Sequence, residues 1–364
     1  MAIYYVAPGG TGINTNHWNT GAVPGDLETT VNNNPWLAPG DEIWALGNNN
    51  IWVPNGLYQI NGTLIISVPN VSLYGGFNGR ETLLSQRTAN IDTNNSFYFL
   101  HPSILENIGY NQSVVMVHAE NCLIDGFIIR NGISQNMQAG GLHAINSNNL
   151  RIENVVFRDN NGKICGGMYL ENFHTVFLKN IVFYENRGDN RSGGLYMQNA
   201  NSVHAINTIF TANTVFTPPA LNSGSAIYVE NSNEVKFINV TIADNFPQTA
   251  NGIFLDNSGV ELYNSIFYHS QIALQMSNAI IDYCLLSQPP LPVPGHNPNG
   301  LPFGTDPRFV NPNNVPNGYH LQLGNSPCID AGDMNFVIPY ATTDLEGLPR
   351  VVGANVDMGA FEVQ

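Results

Sequence analysis

From about residue 114 to 287, short runs of alternating apolar and polar residues recur, separated by Asn, Gly or Ser. Five segments align: GGLHAINSNNLRIENVVFRDN (140–160), GGMYLENFHTVFLKNIVFYEN (166–186), GGLYMQNANSVHAINTIFTAN (193–213), SAIYVENSNEVKFINVTIADN (225–245) and NGIFLDNSGVELYNSIFYHS (251–270). Each holds three such runs, too little apolar surface to bury alone and enough to bury by stacking on its neighbours. Period two places Met168 and Leu170, Leu195 and Met197, Ile227 and Val229 inward in the first run. It does the same for Val176 and Leu178, Val203 and Ala205, Val235 and Phe237 in the second, and for Phe157, Phe183, Phe210, Ile242 and Phe267 in the third. Three strands per repeat stacked in parallel predict an all-β, right-handed parallel β-helix with three strands per coil.

One Asn recurs at 154, 180, 207, 239 and 264, in steps of 26, 27, 32 and 25 residues by subtraction, the longest absorbing the insertion TVFTPPALNSG. Asn tolerates the left-handed conformation and its amide can bond its equivalent one rung away, so the series predicts bends between strands. Asn160, Asn186, Asn213 and Asn245 form a second series, and Asn172, Asn199, Asn231 and Asn257 a third.

Composition agrees with this reading and narrows the partners. The 364 residues are 43% hydrophobic and only 11% charged, with 35 Gly and 22 Pro, a turn-rich β composition. A net charge of −15 argues against nucleic acid or anionic membrane as a general partner. Eight of the twelve basic residues nevertheless fall between Arg130 and Lys236, leaving room for a local anion site. Cys122, Cys165, Cys284 and Cys328 show no metal-ligand spacing, and Cys122, Cys284 and Cys328 read as small core residues. No apolar run approaches the ~18 residues of a transmembrane span, and the start MAIYYVAPGG has neither the charged nor the apolar region of a signal peptide.

Beyond the repeats, IYYVAPGGTG, GDEIWALG (40–47) and NVSLYGGFNGRET (70–82), with TDPRFVNP (305–312), GYHLQLGNSPCIDAG (318–332) and TTDLEGLPRVVGANVDMGAFE (342–362), carry a resemblance. The chain resembles bacterial right-handed parallel β-helix proteins of the choice-of-anchor Q domain family, in the pectate-lyase-like superfamily and common in Bacteroidetes secretomes. The resemblance implies an extracellular or outer cell-surface location, and it transfers no catalytic residues. Residues 1–58 are expected to cap one end, 59–290 to form the solenoid and 291–364 to cap the other, since open ends would expose strand edges. Asp330, Asp344, Arg350 and Asp357 read as loop-fixing hydrogen bonds and an ion pair within the second cap.

Function is sought on outward positions, because the inside is filled. The first strand's outward column reads His143, Tyr169, Tyr196, Tyr228 and Phe254, beside a column of Ile145, Glu171, Gln198, Glu230 and Asp256. Over five rungs, roughly 19 Å, aromatic faces next to hydrogen-bonding groups would suit several sugar rings. The alternative is that like residues stack on themselves for packing. In the second strand, Arg151, Phe177, His204, Lys236 and Glu261 form an outward column, and Glu153 beside Lys179 predicts a surface ion pair. Lys179, Lys236, Arg151 and His204 are the bases and cations that a polysaccharide lyase would need, with calcium the ion able to offset the chain's acidity toward uronates. A glycoside hydrolase would draw its paired carboxylates from Glu171, Glu230 and Asp256. The tripeptide RGD at 187–189 is too short to carry a function, and His118 and His174 read as surface or turn residues.

Three functions follow: a monomeric module binding polysaccharide or a cell-surface glycan without a required cofactor, a structural or adhesin-like spacer, or a polysaccharide lyase or glycoside hydrolase. An exposed aromatic column would favour the first, and convergent titratable groups the third.

Overall fold

The computed structural model describes residues 2–5, 49–60, 62–88, 99–108, 111–135, 138–216, 223–247, 251–275, 277–289, 297–315, 317–337 and 341–364. The strands wind into a right-handed parallel β-helix with three strands per coil. The first sheet stacks Leu142–Ile145, Met168–Phe173, the start of Leu195–Thr211, Gly224–Glu230, Asn251–Asp256 and Ile272–Gln275. Leu150–Arg158, Val176–Tyr184, the rest of Leu195–Thr211 and Asn233–Ala243 each run through the second sheet, bend, and continue into the third. Ile133–Ser134, Asn161–Gly162, Arg187–Gly188 and Thr214–Val215 form a small fourth sheet between the third and the first.

The interior follows the period-two reading. Every inward residue named above is buried, and Phe157, Phe183 and Phe210 stack with centroids 5.0 and 4.6 Å apart. The paired glycines opening the repeats are required by close approach: a Cβ on Gly167 would lie 2.5 Å from the Gly194 carbonyl oxygen and 2.8 Å from the Phe183 ring. The four cysteines are buried and free.

The asparagines occupy the expected bends. Asn154, Asn180, Asn207, Asn239 and Asn264 have φ between 50° and 56°, and Asn180 and Asn207 donate to the amide oxygen one rung below at 2.9 and 3.0 Å. The series at 160, 186, 213 and 245 is a buried amide ladder with 3.0 Å links. Here the left-handed conformation falls one residue earlier, on Asp159, Glu185, Ala212, Asp244 and His269. This displacement turns a different set of side chains outward at that edge.

The terminal segments depart from the expected boundaries. Asn49–Pro54 and Gly56–Ile60 already pair into the second and third sheets, so the solenoid begins before residue 59. Ala2–Tyr5 adds a strand to Asn49–Pro54, and the remainder of the expected N-terminal cap lies outside the described residues. Among the described residues, the C-terminal segment meets the last rung at its start, where the amides of Leu301 and Gly304 donate to the carbonyls of Cys284 and Leu286. It then runs back along the side of the helix. Phe309, Tyr319, Leu321, Leu345, Met358 and Phe361 pack on Val156, Val182, Ile209 and Ile266, outward residues of the third sheet, and Val337, Ala341 and Val356 pack on Ile206 and Ile238 of the second. The physical reason is the apolar character of those outward columns, which need a cover that the solenoid itself does not provide.

Arg350 holds this lateral module together. It is fully buried and donates to the carbonyls of Asp357, Gly359 and Ala360 at 2.6–3.1 Å, with Glu362 3.8 Å away. Asp344 accepts from the amides of Glu346, Leu348 and Glu362, and Asp357 from those of Asp330 and Val363.

Candidate functional site

The aromatic column of the first sheet is in register on successive rungs, but it is not an exposed face. His143, Tyr169, Tyr196, Tyr228 and Phe254 are between 0 and 5% exposed. Ala139, Ile164 and Cys165, from the connections entering this sheet, pack against the rings and make a second core outside the first. The rings also stack on one another, with centroids 4.6 Å apart for His143–Tyr169 and for Tyr169–Tyr196. Hydroxyls that would be stranded by this burial reach diagonally to the next rung: Tyr169 donates to Gln198 at 2.7 Å, Tyr196 to Glu230, and Tyr228 to Asp256 at 3.3 Å. Burial, reinforced by the neighbouring carboxylates, pushes all three hydroxyl pKa values up. The column expected to bind sugar rings is therefore a packed wall, and Gln198, Glu230 and Asp256 along its rim anchor it. Glu171 sits 3.4 Å from His143, whose pKa burial pulls down against the pull of that carboxylate.

The second-sheet cations do not converge on those carboxylates, since they belong to a different sheet. Arg151 pairs with Glu153 and lies over the Phe177 ring, so the expected Glu153–Lys179 pair is replaced by a pair within one strand. Lys236 pairs with Glu261 at 2.8 Å. His204 is half-buried beside it, its pKa lowered by burial and then by the Lys236 charge. Among the described residues no three His, Cys, Asp or Glu side chains gather as a metal site. Within RGD, Arg187 stacks over Phe216 and Asp189 faces Lys163 at 3.4 Å.

A concave site does form at the edge where the third sheet bends. There the lateral module stands off the solenoid and leaves two adjoining cavities of about 410 and 480 Å³, with Tyr268 and His269 in the wall of both. Volumes of this order suit small ligands. The solenoid contributes Tyr184, Glu185, Asp244, Phe246, Tyr268 and His269; the module contributes Asp306, Asn313, Val315 and Tyr319. Tyr184 and Tyr268 are half-buried, whereas Phe246, Glu185, His269 and Asp306 are exposed.

The geometry around His269 is constrained from both sides. Its Nδ1 lies 2.7 Å from Asp244 Oδ1, and its ring rests 3.8 Å from that of Tyr268. The other oxygen of Asp244 accepts from the Tyr319 hydroxyl at 3.1 Å, and that hydroxyl also bonds Thr211. Asp244 is thus oriented by one residue of each body, and its left-handed backbone aims it out of the ladder. Burial raises the Tyr268 pKa, with Asp306 and Asp244 adding to it, and Tyr184 is pushed up to about 12 by burial and then by Glu185. Both phenols stay protonated at neutral pH, and that of Tyr184 is held by Glu185. Sequence reasoning passed over these residues. The one signal for them is positional: the two residues after the inward Phe157, Phe183, Phe210, Ile242 and Phe267 vary among Arg, Tyr, Thr, Ala, Glu, Asp and His while their neighbours repeat.

No family model matches this chain, and no curated protein matches it either. Among solved structures, pectate lyase Pel9A aligns over 100% of this chain and 96% of its own, with 14% identity and a TM-score of 0.45. Tailspike protein 2 from an Escherichia coli bacteriophage aligns over 66% of this chain and 35% of its own, with 12% identity and a TM-score of 0.33. A pectin methylesterase aligns over 64% of this chain and 72% of its own, with 11% identity and a TM-score of 0.27.

Proposed function

We propose that this chain is an extracellular or cell-surface β-helix module, of the choice-of-anchor Q kind, that binds saccharide in the cleft between the third-sheet bends and the C-terminal module. One observation carries the reading: half-buried Tyr184 and Tyr268 stand beside exposed carboxylates, an imidazole and an amide in a concave site, while the longer aromatic column is sealed. Aromatic faces with adjacent polar groups are what a sugar ring requires, since its C–H face needs an apolar surface and its hydroxyls need fixed partners. The interaction is taken to need no metal and to involve one copy of the chain.

Calorimetric titration with a panel of oligosaccharides tests this. Tyr268→Ala should weaken binding about tenfold, the effect of losing one aromatic contact of ~1–1.5 kcal/mol, and chelating agents should leave the affinity unchanged. Binding that ignores Tyr268→Ala would remove the cleft from consideration.

A second reading, an enzyme acting on the same saccharide, draws support from the Asp244–His269 pair. An imidazole held by a carboxylate through one nitrogen presents the other as a general base. Release of new reducing ends or of ester acids by the wild type, abolished in His269→Ala, is its expected signature.

A further inference from the structure

We infer that the cleft hydrolyses O-acyl esters carried by the saccharide, with His269 as the base that activates water and Asp244 and Tyr319 as the residues that position it; this rests on the saccharide reading of the same cleft. The arrangement is a chain of four side chains drawn from both bodies. His269 Nδ1 lies 2.7 Å from one oxygen of Asp244, and the other oxygen accepts the Tyr319 hydroxyl at 3.1 Å, which is itself bonded to Thr211. Tyr319 and Thr211 are buried, whereas the imidazole is exposed and lines both cavities. A carboxylate held at both oxygens keeps the Nδ1–H of the imidazole directed at Asp244, which leaves Nε2 as the basic nitrogen. The two cavities meet at Tyr268 and His269, so a sugar ring resting in the larger one against Tyr184 and Phe246 presents a substituent to the smaller one across the imidazole.

The groups present complete ester cleavage and no other attack on the saccharide. Hydrolysis of a glycosidic bond needs two free carboxylates flanking it. Asp244 is held at both oxygens and Glu185 takes the Tyr184 hydroxyl, so Asp306 has no second carboxylate to work with. Elimination from a uronate needs a cation to neutralise the carboxylate, and among the described residues no Lys or Arg lines either cavity. An ester needs only a base for water and hydrogen-bond donors for the oxyanion. Beside His269 stand Tyr268, its hydroxyl kept protonated by burial, and the side-chain amides of Gln271 and Gln288. In the first step Nε2 takes a proton from water, the water oxygen bonds to the acyl carbon, and the carbonyl electron pair moves onto its oxygen, which those donors stabilise. Asp244 offsets the charge on the imidazolium meanwhile. The intermediate then collapses as the bond from the acyl carbon to the sugar oxygen breaks, and the imidazolium returns its proton to that oxygen. The products are a carboxylic acid and a sugar hydroxyl.

The experiment follows acetate and new reducing ends released from O-acetylated xylan and mannan oligomers, alongside calorimetric binding of the same oligomers with the acetyl groups removed. The wild type should release acetate and no reducing ends. His269→Asn suits the left-handed backbone at that position (φ 51°) and keeps an N–H for Asp244, but it has no basic nitrogen. It should lower kcat at least about a hundredfold while the melting temperature holds. Tyr319→Phe keeps the ring and loses only the hydroxyl that orients Asp244. It should lower kcat about tenfold to a hundredfold with KM unchanged, and broaden the downfield proton resonance of His269 Nδ1–H, neither of which a purely structural hydroxyl would do. Oligomers that bind without His269-dependent acetate release, or that yield reducing ends instead, overturn the inference while the saccharide site stands. Absence of both binding and acetate release overturns both.

Discussion

Outward tyrosines in two sheets of this solenoid have opposite fates, a continuous aromatic column in the first sheet and two rings separated by Thr211 and Ala243 in the third. In the first sheet, Tyr169, Tyr196 and Tyr228 are covered by Ile164 and Cys165 and tied by their hydroxyls to the next rung. At the third-sheet edge, Tyr184 and Tyr268 remain partly open because the covering module stands away from them there. The period of the repeat determines which side chains face out. What lies over them is decided by connections and by a terminal module that do not repeat. An outward aromatic column in a solenoid is thus as readily a second core as a binding face, and what is laid over the rings tells the two apart.

The strongest test of this contrast removes the wall that only the cleft depends on. Arg350→Ala should destabilise the chain by about 3–5 kcal/mol, since it leaves Asp344, Asp357 and Glu362 buried without their cation. Denaturant unfolding should show this, and saccharide binding should vanish because Asp306 and Tyr319 belong to the module that is lost. Intact binding in this variant would mean that the module is not part of the site.

A smaller effect separates the columns directly. Tyr196→Ala empties a buried site and should cost about 3 kcal/mol of stability with no change in saccharide affinity per folded molecule. Tyr268→Ala, whose half-buried ring packs on Phe309 and His269, should cost less stability than Tyr196→Ala, about 1–2 kcal/mol, and weaken affinity about tenfold. Melting curves and titrations of the two variants side by side check both halves.

The smallest effect is a pH dependence. Burial raises the Glu362 pKa to about 7 against the opposing pull of Arg350, and burial raises those of Asp344 and Asp357 as well. Folded values above the unfolded ones mean that these groups favour the fold most when protonated. Their contribution is complete below the ordinary carboxylate range and is lost as pH rises through about 7. The melting temperature should therefore fall between pH 5 and pH 8, and Glu362→Gln should flatten that slope; a rise over the same interval contradicts the burial of these carboxyls.

The solenoid was readable because its causes are local and repeated. Alternation marked the inward faces at Met168, Leu195 and Ile227, and Asn bends marked the corners. The cleft was not readable, because its causes are not local. Ala139 and Ile164 gave no sign that they would seal the tyrosines, and nothing in 301–364 announced that this segment would turn along the third sheet. The ladder positions Asn213 and Asn245 were recognised, yet the residues before them, Ala212 and Asp244, take the left-handed conformation, and it is Asp244 that reaches the site. The outward column already set Lys236 beside Glu261, whereas the pairing of Glu153 with Arg151 in its own strand, in place of Lys179, depends on side-chain reach that spacing alone does not reveal.

The most direct test of the central claim is an amide hydrogen-exchange footprint with and without saturating oligosaccharide. Protection confined to 184–185, 268–271 and 304–315 is the result this account predicts. Protection along 168–171, 195–198 and 226–230, with the third-sheet edge unchanged, would place the ligand on the tyrosine wall and contradict it.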